Sequence, residues 1–140
     1  MQNTSKLSYP AGRAFLGALF FISGINKILG FSYVAGWMTS SGLPFAPLLL
    51  AATIAIEVGG GLMLITGWQA RWAALAIGLF LIPTTFVFHA FWSADAASYQ
   101  NQLTQFLKNL AILGGMLLVN EREKMKAEER AAPGILRTVR

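Results

Sequence analysis

Four apolar stretches, each long enough to cross a bilayer, alternate with short polar segments along the chain. They cover residues 11–29, 48–66, 72–92 and 102–119. A helix rises 1.5 Å per residue, so about 20 residues span a hydrocarbon core of roughly 30 Å. The pattern therefore predicts an all-α integral membrane protein built as a four-helix bundle.

The longest connection, residues 31–47, has a pattern of its own. Tyr33, Val34, Trp37 and Met38 recur at helical spacing before a Ser-Ser-Gly-Leu-Pro segment breaks the repeat. Aromatic and apolar side chains on one face are typical of a helix that lies at the membrane surface. We expect a short interfacial helix between the first and second spans.

Composition supports a membrane protein with a charged tail. Hydrophobic residues make up 55% of the chain and charged residues only 12%, against about 25% charged in an average soluble domain. Four of the six acidic and six of the eleven basic residues lie in the last twenty-one positions. We therefore predict a transmembrane domain over 1–119 and a charged tail over 120–140, with residues 1–9 preceding the first helix. The tail is expected to be helical to about Arg130 and to end by Pro133-Gly134.

The placement of positive charge predicts the orientation. Four spans put both termini on one side, together with Lys6, Arg13, Arg71 and the six basic residues of the tail. The opposite side has only Lys27 and Lys108, both near helix ends. The positive-inside rule then places both termini in the cytoplasm. In such a protein, a basic excess reports orientation and contact with anionic lipid, so it does not indicate nucleic-acid binding.

Polar side chains on all four predicted helices fall in the same, outer half of the membrane. An ionisable side chain at this depth is costly and marks a functional site by default. The set predicts an outward-opening polar pocket with a carboxylate near mid-membrane as its floor. Its members are Asn26, Lys27, Glu57, His89, Lys108 and Asn109.

The chemistry of these groups suggests roles. Lys27 and Lys108 would hold the polar end of a small amphipathic or anionic molecule, with Asn26 and Asn109 as further ligand-binding groups. Glu57 and His89 would accept and donate protons as the catalytic pair. Either lysine is a candidate partner for the carboxylate, which has a purely structural alternative as an ion pair that holds the bundle together.

Several chemistries are excluded by residue counts. One histidine cannot form a bis-histidine haem site, and the paired Glu-x-x-His motifs of a di-iron bundle are absent. The chain has no cysteine, and therefore no thiol or iron–sulfur chemistry. We predict no metal site and no intrinsic cofactor, so any electron carrier, a quinone for instance, would come from outside the chain.

The chain also resembles a known family. Arg13 precedes LFFISGINKI in the first span, and SSGLP, IEVGGGLMLITGWQARWAAL, TTFVFHAFW and FLKNLAILGG follow in order. Together these segments are similar to the DoxX family of small four-helix bacterial inner-membrane proteins. The resemblance implies a link to thiosulfate:quinone oxidoreduction or to oxidoreductase complexes with sulfurtransferase or superoxide-handling partners.

Three functions follow as hypotheses. The first is a subunit linked to quinone, sulfur or oxidative-stress redox metabolism that binds a ligand in the polar pocket. The second is a non-catalytic anchor or assembly subunit whose tail recruits a partner enzyme. The third is a small transporter, which would require a homo-oligomer. Enzymatic activity of the chain itself is left open by the sequence.

Overall fold

The computed structural model describes residues 4–131. The described residues form five α-helices and one short 3₁₀ helix, joined by loops, and contain no strand. The α-helices are α1 (Thr4–Leu29), α2 (Phe31–Ser40), α3 (Ala46–Thr66), α4 (Ala70–Phe88) and α5 (Tyr99–Ala131). The 3₁₀ helix is Phe91–Ser93. The prediction of an all-α chain is confirmed.

Four of these helices are long and apolar enough to cross a membrane. The candidate spans are Leu7–Leu29, Ala46–Thr66, Ala70–Ser93 and Tyr99–Ala131. They coincide with the four predicted stretches, although their ends differ. The prediction of four helices long and apolar enough to span a membrane is therefore confirmed, while the orientation of the termini stays a prediction.

The differences at the helix ends have simple physical reasons. The first helix already begins at Thr4, so most of the polar N-terminal segment is helical. Pro10 lies in the second turn of this helix, where its missing N–H removes one backbone hydrogen bond. The last helix continues unbroken through Asn120 to Ala131, in agreement with the predicted helical tail, because neither Gly nor Pro occurs between Gly115 and that end. The Pro133-Gly134 pair, where the tail was expected to end, lies outside the described residues.

The chain divides into two compact units, residues 1–69 and 70–140. In the first unit, α1 packs antiparallel to α3. The paired positions run in opposite directions along the two helices, with Gly17 beside Gly61 and Gly24 beside Val58. The backbones come unusually close at the first pair. A Cβ at Gly61 would lie 2.7 Å from the carbonyl oxygen of Gly17, so only glycine permits this approach.

Helix α2 packs against α3 in the same unit. Its buried face carries Ala35 and Met38, while Tyr33 and Trp37 are exposed. A short helix therefore lies where the sequence predicts one. Its location at the membrane interface stays a prediction.

In the second unit, α4 packs antiparallel to α5. Thr85 contacts Asn109 near one end of the pair, and Gly78 faces Leu113 nearer the middle. Pro83 interrupts the hydrogen bonds of α4, and the hydroxyl of Thr84 donates to the carbonyl of Phe80 at 2.8 Å in the same region.

Candidate functional site

The polar centre of the first unit is an ion pair between α1 and α3. The Lys27 Nζ atom lies 2.9 Å from Oε2 and 3.1 Å from Oε1 of Glu57. The Glu57 side chain is only 6% exposed, whereas that of Lys27 is 26% exposed. The carboxylate is thus enclosed by the helix pair, and the ammonium lies at its edge.

Local sequence explains why these two groups meet. Gly24 packs on Val58 and on the Cβ of Glu57, which brings the two helix axes close one turn before Lys27. The lysine side chain then reaches back along α1 to the carboxylate. Glu57 lies near the middle of α3, a position at which a carboxylate in a membrane needs such a partner.

Ser23 completes the site, although the sequence analysis missed it. Lys27 Nζ donates to its Oγ atom at 2.7 Å. An ammonium has three protons, so two carboxylate oxygens and one hydroxyl engage all of them. The signal that could have found Ser23 is its i, i+4 spacing to Lys27 on one helix face.

Asn26 lies apart from this ion pair. Its side chain is exposed, and no other described residue is hydrogen-bonded to its amide. Its backbone carbonyl accepts a hydrogen bond from Gly30 at 3.0 Å, where α1 ends. The structure therefore associates Asn26 with the helix end, and its ligand-binding role stays a prediction.

His89 lies in the second unit, immediately after the last residue of α4. Its Nδ1 atom is 3.1 Å from Oε1 of Gln102 on α5. Because a carbonyl oxygen only accepts, Nδ1 carries the proton in this contact and Nε2 remains available as an acceptor in the neutral ring. Gln102 is a second partner that the sequence analysis did not identify.

Asn109 forms the other polar contact between α4 and α5. Its Nδ2 atom donates to Oγ1 of Thr85 at 3.0 Å, and Thr85 is only 7% exposed. The pair lies in the wall of a cavity of about 80 Å³. The remaining lining is apolar and comprises Leu81, Ile82, Phe86, Phe106, Leu110 and Leu113.

Aromatic rings close the same end of the second unit. Phe91 packs edge-to-face on Trp92, Tyr99 and Phe106, with ring centroids 5.2–6.0 Å apart. Phe86 joins the cluster through Phe106 at 5.9 Å. Edge-to-face contacts of this kind add to the stability gained from burial, so the cluster fixes the turn between α4 and α5.

Lys108 does not join these groups. Its side chain is exposed, and within the described part of the chain it has no hydrogen-bond or ion-pair partner. Residues 108 and 109 differ by about 100° around the helix, so Lys108 points away from the cavity that Asn109 lines. Among residues 4–131 there is also no cluster of three His, Cys, Asp or Glu side chains that could hold a metal.

Comparison with known proteins agrees with the resemblance seen in the sequence. A family model described as DoxX matches residues 10–90, more than half of the chain. The chain is 31% identical to inner membrane protein YqjF of Escherichia coli over 119 residues, which cover 85% of this chain and 86% of that protein. It is 26% identical to inner membrane protein YphA of the same organism over 101 residues, 72% of each. No solved structure shows a significant match.

Proposed function

The chain belongs to the DoxX family of membrane proteins, and from that premise we propose that it is an inner-membrane subunit linked to quinone, sulfur or oxidative-stress redox metabolism. In this proposal a partner oxidoreductase supplies the electrons. The chain contributes a polar centre within the membrane, where a small amphipathic or anionic molecule binds and protons are exchanged.

The observation that carries this proposal is the ion pair of Lys27 and Glu57. A charged pair inside an apolar helix pair is costly to bury, so its presence in a membrane span favours a functional role. The partly exposed ammonium can be reached from outside the helix pair. A ligand oxygen that replaces Ser23 Oγ would accept the third ammonium proton while Glu57 keeps Lys27 in place.

The proposal includes an orientation and a location. YqjF and YphA are inner membrane proteins, and we assign the same membrane to this chain. The positive-inside rule supports cytoplasmic termini. Exposed Tyr33 and Trp37 on α2 support a position for that helix at the outer membrane interface, where aromatic side chains are enriched.

Binding of a quinone analogue to the purified protein tests the proposal. We expect saturable binding by the wild type and a loss of at least ten-fold in affinity for Lys27→Met and Glu57→Gln. Lys124→Met is the matched control, since Lys124 is exposed and lies beyond the apolar part of α5. Absence of binding by the wild type would refute the quinone link, and unchanged affinity in both variants would place the ligand elsewhere.

A specific observation also favours the anchor hypothesis. Helix α5 has 33 residues and is therefore about 50 Å long, against roughly 30 Å for the hydrocarbon core. Its second half carries alternating charges, including the Lys126–Glu123 ion pair at 2.7 Å. An ordered charged helix outside the membrane is a suitable docking element for a partner protein.

Truncation separates the two hypotheses. Removal of residues 121–140 should release partner proteins that co-purify from native membranes if α5 recruits them. The quinone-analogue affinity of the truncated chain should stay unchanged in that case, because Lys27 and Glu57 lie in the other unit. Partners that persist after truncation would count against recruitment by the tail.

A further inference from the structure

The cavity between α4 and α5 has the properties of a second ligand site, independent of the ion pair of the first unit. All of its lining residues belong to the second unit. They lie between Leu81 and Leu113, within the third and fourth candidate spans. A molecule in this cavity would therefore be bound at membrane depth.

The opening of the cavity indicates where such a molecule comes from. Three lining residues, Ile82, Phe86 and Leu110, are 44%, 55% and 55% exposed. The cavity thus opens on the side surface of the helix pair. In a membrane-spanning segment, that surface adjoins apolar groups, so the occupant is lipid-soluble.

The polar wall is built from Thr85 and Asn109. Thr85 is more than nine-tenths buried, and its hydroxyl oxygen accepts one proton from Asn109 Nδ2. One amide proton and the Oδ1 atom of Asn109 then remain without a partner among the described residues, as does the hydroxyl proton of Thr85. A polar group placed in an apolar site is costly unless it is hydrogen-bonded. An occupant with both a donor and an acceptor would form hydrogen bonds with these groups of Asn109 and Thr85.

The charge of the lining restricts the occupant further. No ionisable side chain lines the cavity, and an unpaired ion in such surroundings is strongly disfavoured. An anion is therefore excluded here, unlike at Lys27. A hydroxyl group is neutral and both donates and accepts, whereas an ether or a ketone only accepts.

The apolar wall favours an aromatic body for the molecule. Phe86 and Phe106 lie edge-to-face with centroids 5.9 Å apart, and a ring could join them in the same geometry. The cavity of about 80 Å³ is smaller than the ~150 Å³ apolar cavity that accepts benzene in an engineered protein. It therefore takes only the hydroxyl group and the adjoining edge of a ring, while the rest of the ring lies in the opening between the exposed side chains.

We propose that the α4–α5 cavity binds the hydroxyl end of a neutral, lipid-soluble phenol. The phenol hydroxyl donates to Asn109 Oδ1 and accepts from the free amide proton or from Thr85. The ring lies against Phe86 and Phe106, and an alkyl substituent extends along the exposed side chains of the helix pair.

Three probes with the same tail test this assignment. They are 4-octylphenol, its methyl ether 4-octylanisole, and the anion 4-octylbenzoate. Trp92 serves as the reporter because its ring contacts both Phe86 and Phe106, at 5.8 and 6.0 Å. The three other tryptophans, all exposed, are replaced by phenylalanine so that the emission comes from Trp92 alone.

We expect saturable quenching or shift of the emission by the phenol, with affinity about ten-fold lower for the methyl ether because one hydrogen bond is lost. The benzoate should bind weakest. Asn109→Leu should reduce the phenol affinity about ten-fold and remove the preference over the ether. Leu110→Phe, at an exposed position and without a second tryptophan, should narrow the opening and weaken binding at least ten-fold.

Asn101→Leu is the matched control, because Asn101 is exposed on the same helix and does not line the cavity. Circular dichroism confirms that each variant is folded, and Leu110→Phe tests the site even if Asn109→Leu fails to fold. Equal binding of all three probes, or a phenol affinity that Leu110→Phe leaves unchanged, would overturn the proposal. Loss of quinone-analogue binding in Lys27→Met would leave this result unaffected.

Discussion

Lys27 and Glu57, thirty positions apart in the chain, form a two-point ion pair that joins α1 to α3. Both carboxylate oxygens accept from one ammonium at 2.9 and 3.1 Å, and Ser23 accepts the third proton at 2.7 Å. The pair is therefore complete without any other group. A ligand at Lys27 has to replace Ser23 or open the pair, which makes the ion pair a structural link as well as a candidate site.

Because Lys27 and Glu57 satisfy each other's hydrogen bonds, we predict strong energetic coupling between them. Lys27→Met and Glu57→Gln should each lower the free energy of unfolding by about 3 kcal/mol, because each leaves a desolvated partner behind. The double variant Lys27→Met/Glu57→Gln should cost clearly less than the sum, with a coupling of about 1 kcal/mol or more. Unfolding of the purified protein in mixed micelles measures these differences, and strictly additive effects would contradict the link.

The close contact of α1 and α3 predicts opposite effects at two neighbouring glycines. Gly61→Ala would place a methyl group 2.7 Å from Gly17 O, and the forced separation should cost about 1–3 kcal/mol. Gly59→Ala is the matched control, since a Cβ there meets nothing within 4 Å. It should be neutral or stabilise by up to about 1 kcal/mol through helix propensity. Thermal unfolding compares the two variants, and equal losses would argue against the close contact.

The predicted orientation can be tested by cysteine labelling, because the chain has no cysteine of its own. Ser41→Cys and Ser93→Cys place exposed thiols in the two connections expected outside. Gln69→Cys places one in the connection expected inside. A membrane-impermeant maleimide should label the first two in intact cells, and the third only after the membrane is opened. The reverse labelling pattern would show that the termini lie on the opposite side of the membrane.

The loop before α5 contains Asp95, whose carboxylate accepts two hydrogen bonds that should lower its measured pKa. The hydroxyl of Ser98 donates to Asp95 Oδ1 at 2.6 Å and its backbone amide at 2.8 Å. These bonds hold the pKa of Asp95 below its ordinary value of 3.8. A depressed pKa in the folded state means that the stabilisation is present above the unfolded pKa and is lost as pH falls through the folded one.

Ser98→Ala removes the hydroxyl bond, the larger of the two contributions. The pKa of Asp95 should then move back towards 3.8, as followed by NMR titration of its carboxyl carbon. Ser93→Ala is the control, because the Ser93 hydroxyl donates to the carbonyl of Ala90 instead. An Asp95 midpoint that is the same in the two variants would contradict the assigned cause.

The sequence predicted the helices well because a bilayer restricts the backbone to few solutions. Four apolar runs of the right length had to be helices, and the structure has them. The ends were less certain, since polarity marks the membrane boundary and not the end of a helix. Hence α1 begins within the polar N-terminal segment, whereas the helix predicted to about Arg130 in the tail is present and joins the last span without a break.

Some polar residues of the candidate site could be recognised in the sequence, but their pairing could not. Glu57 was identified by its depth, yet Lys27 and Lys108 were equally plausible partners. The choice depends on the glycine-mediated approach of α1 and α3, which brings Gly24 onto Glu57. The short polar partners Ser23, Thr85 and Gln102 escaped notice because uncharged side chains are common in apolar helices and carry little signal in the sequence alone.

The continuity of α5 has a mechanical consequence. Its stretch from Met116 to Ala131 contains neither Gly nor Pro, the usual causes of a kink, so the helix can act as a rigid lever. About 20 Å of it extends past a 30 Å hydrocarbon core. A tilt of 10° would therefore displace the far end by roughly 3.5 Å relative to the membrane boundary. Movement of α5 at Met116 or Val119, beyond the Gly114-Gly115 pair, would thus be transmitted to whatever contacts its charged end.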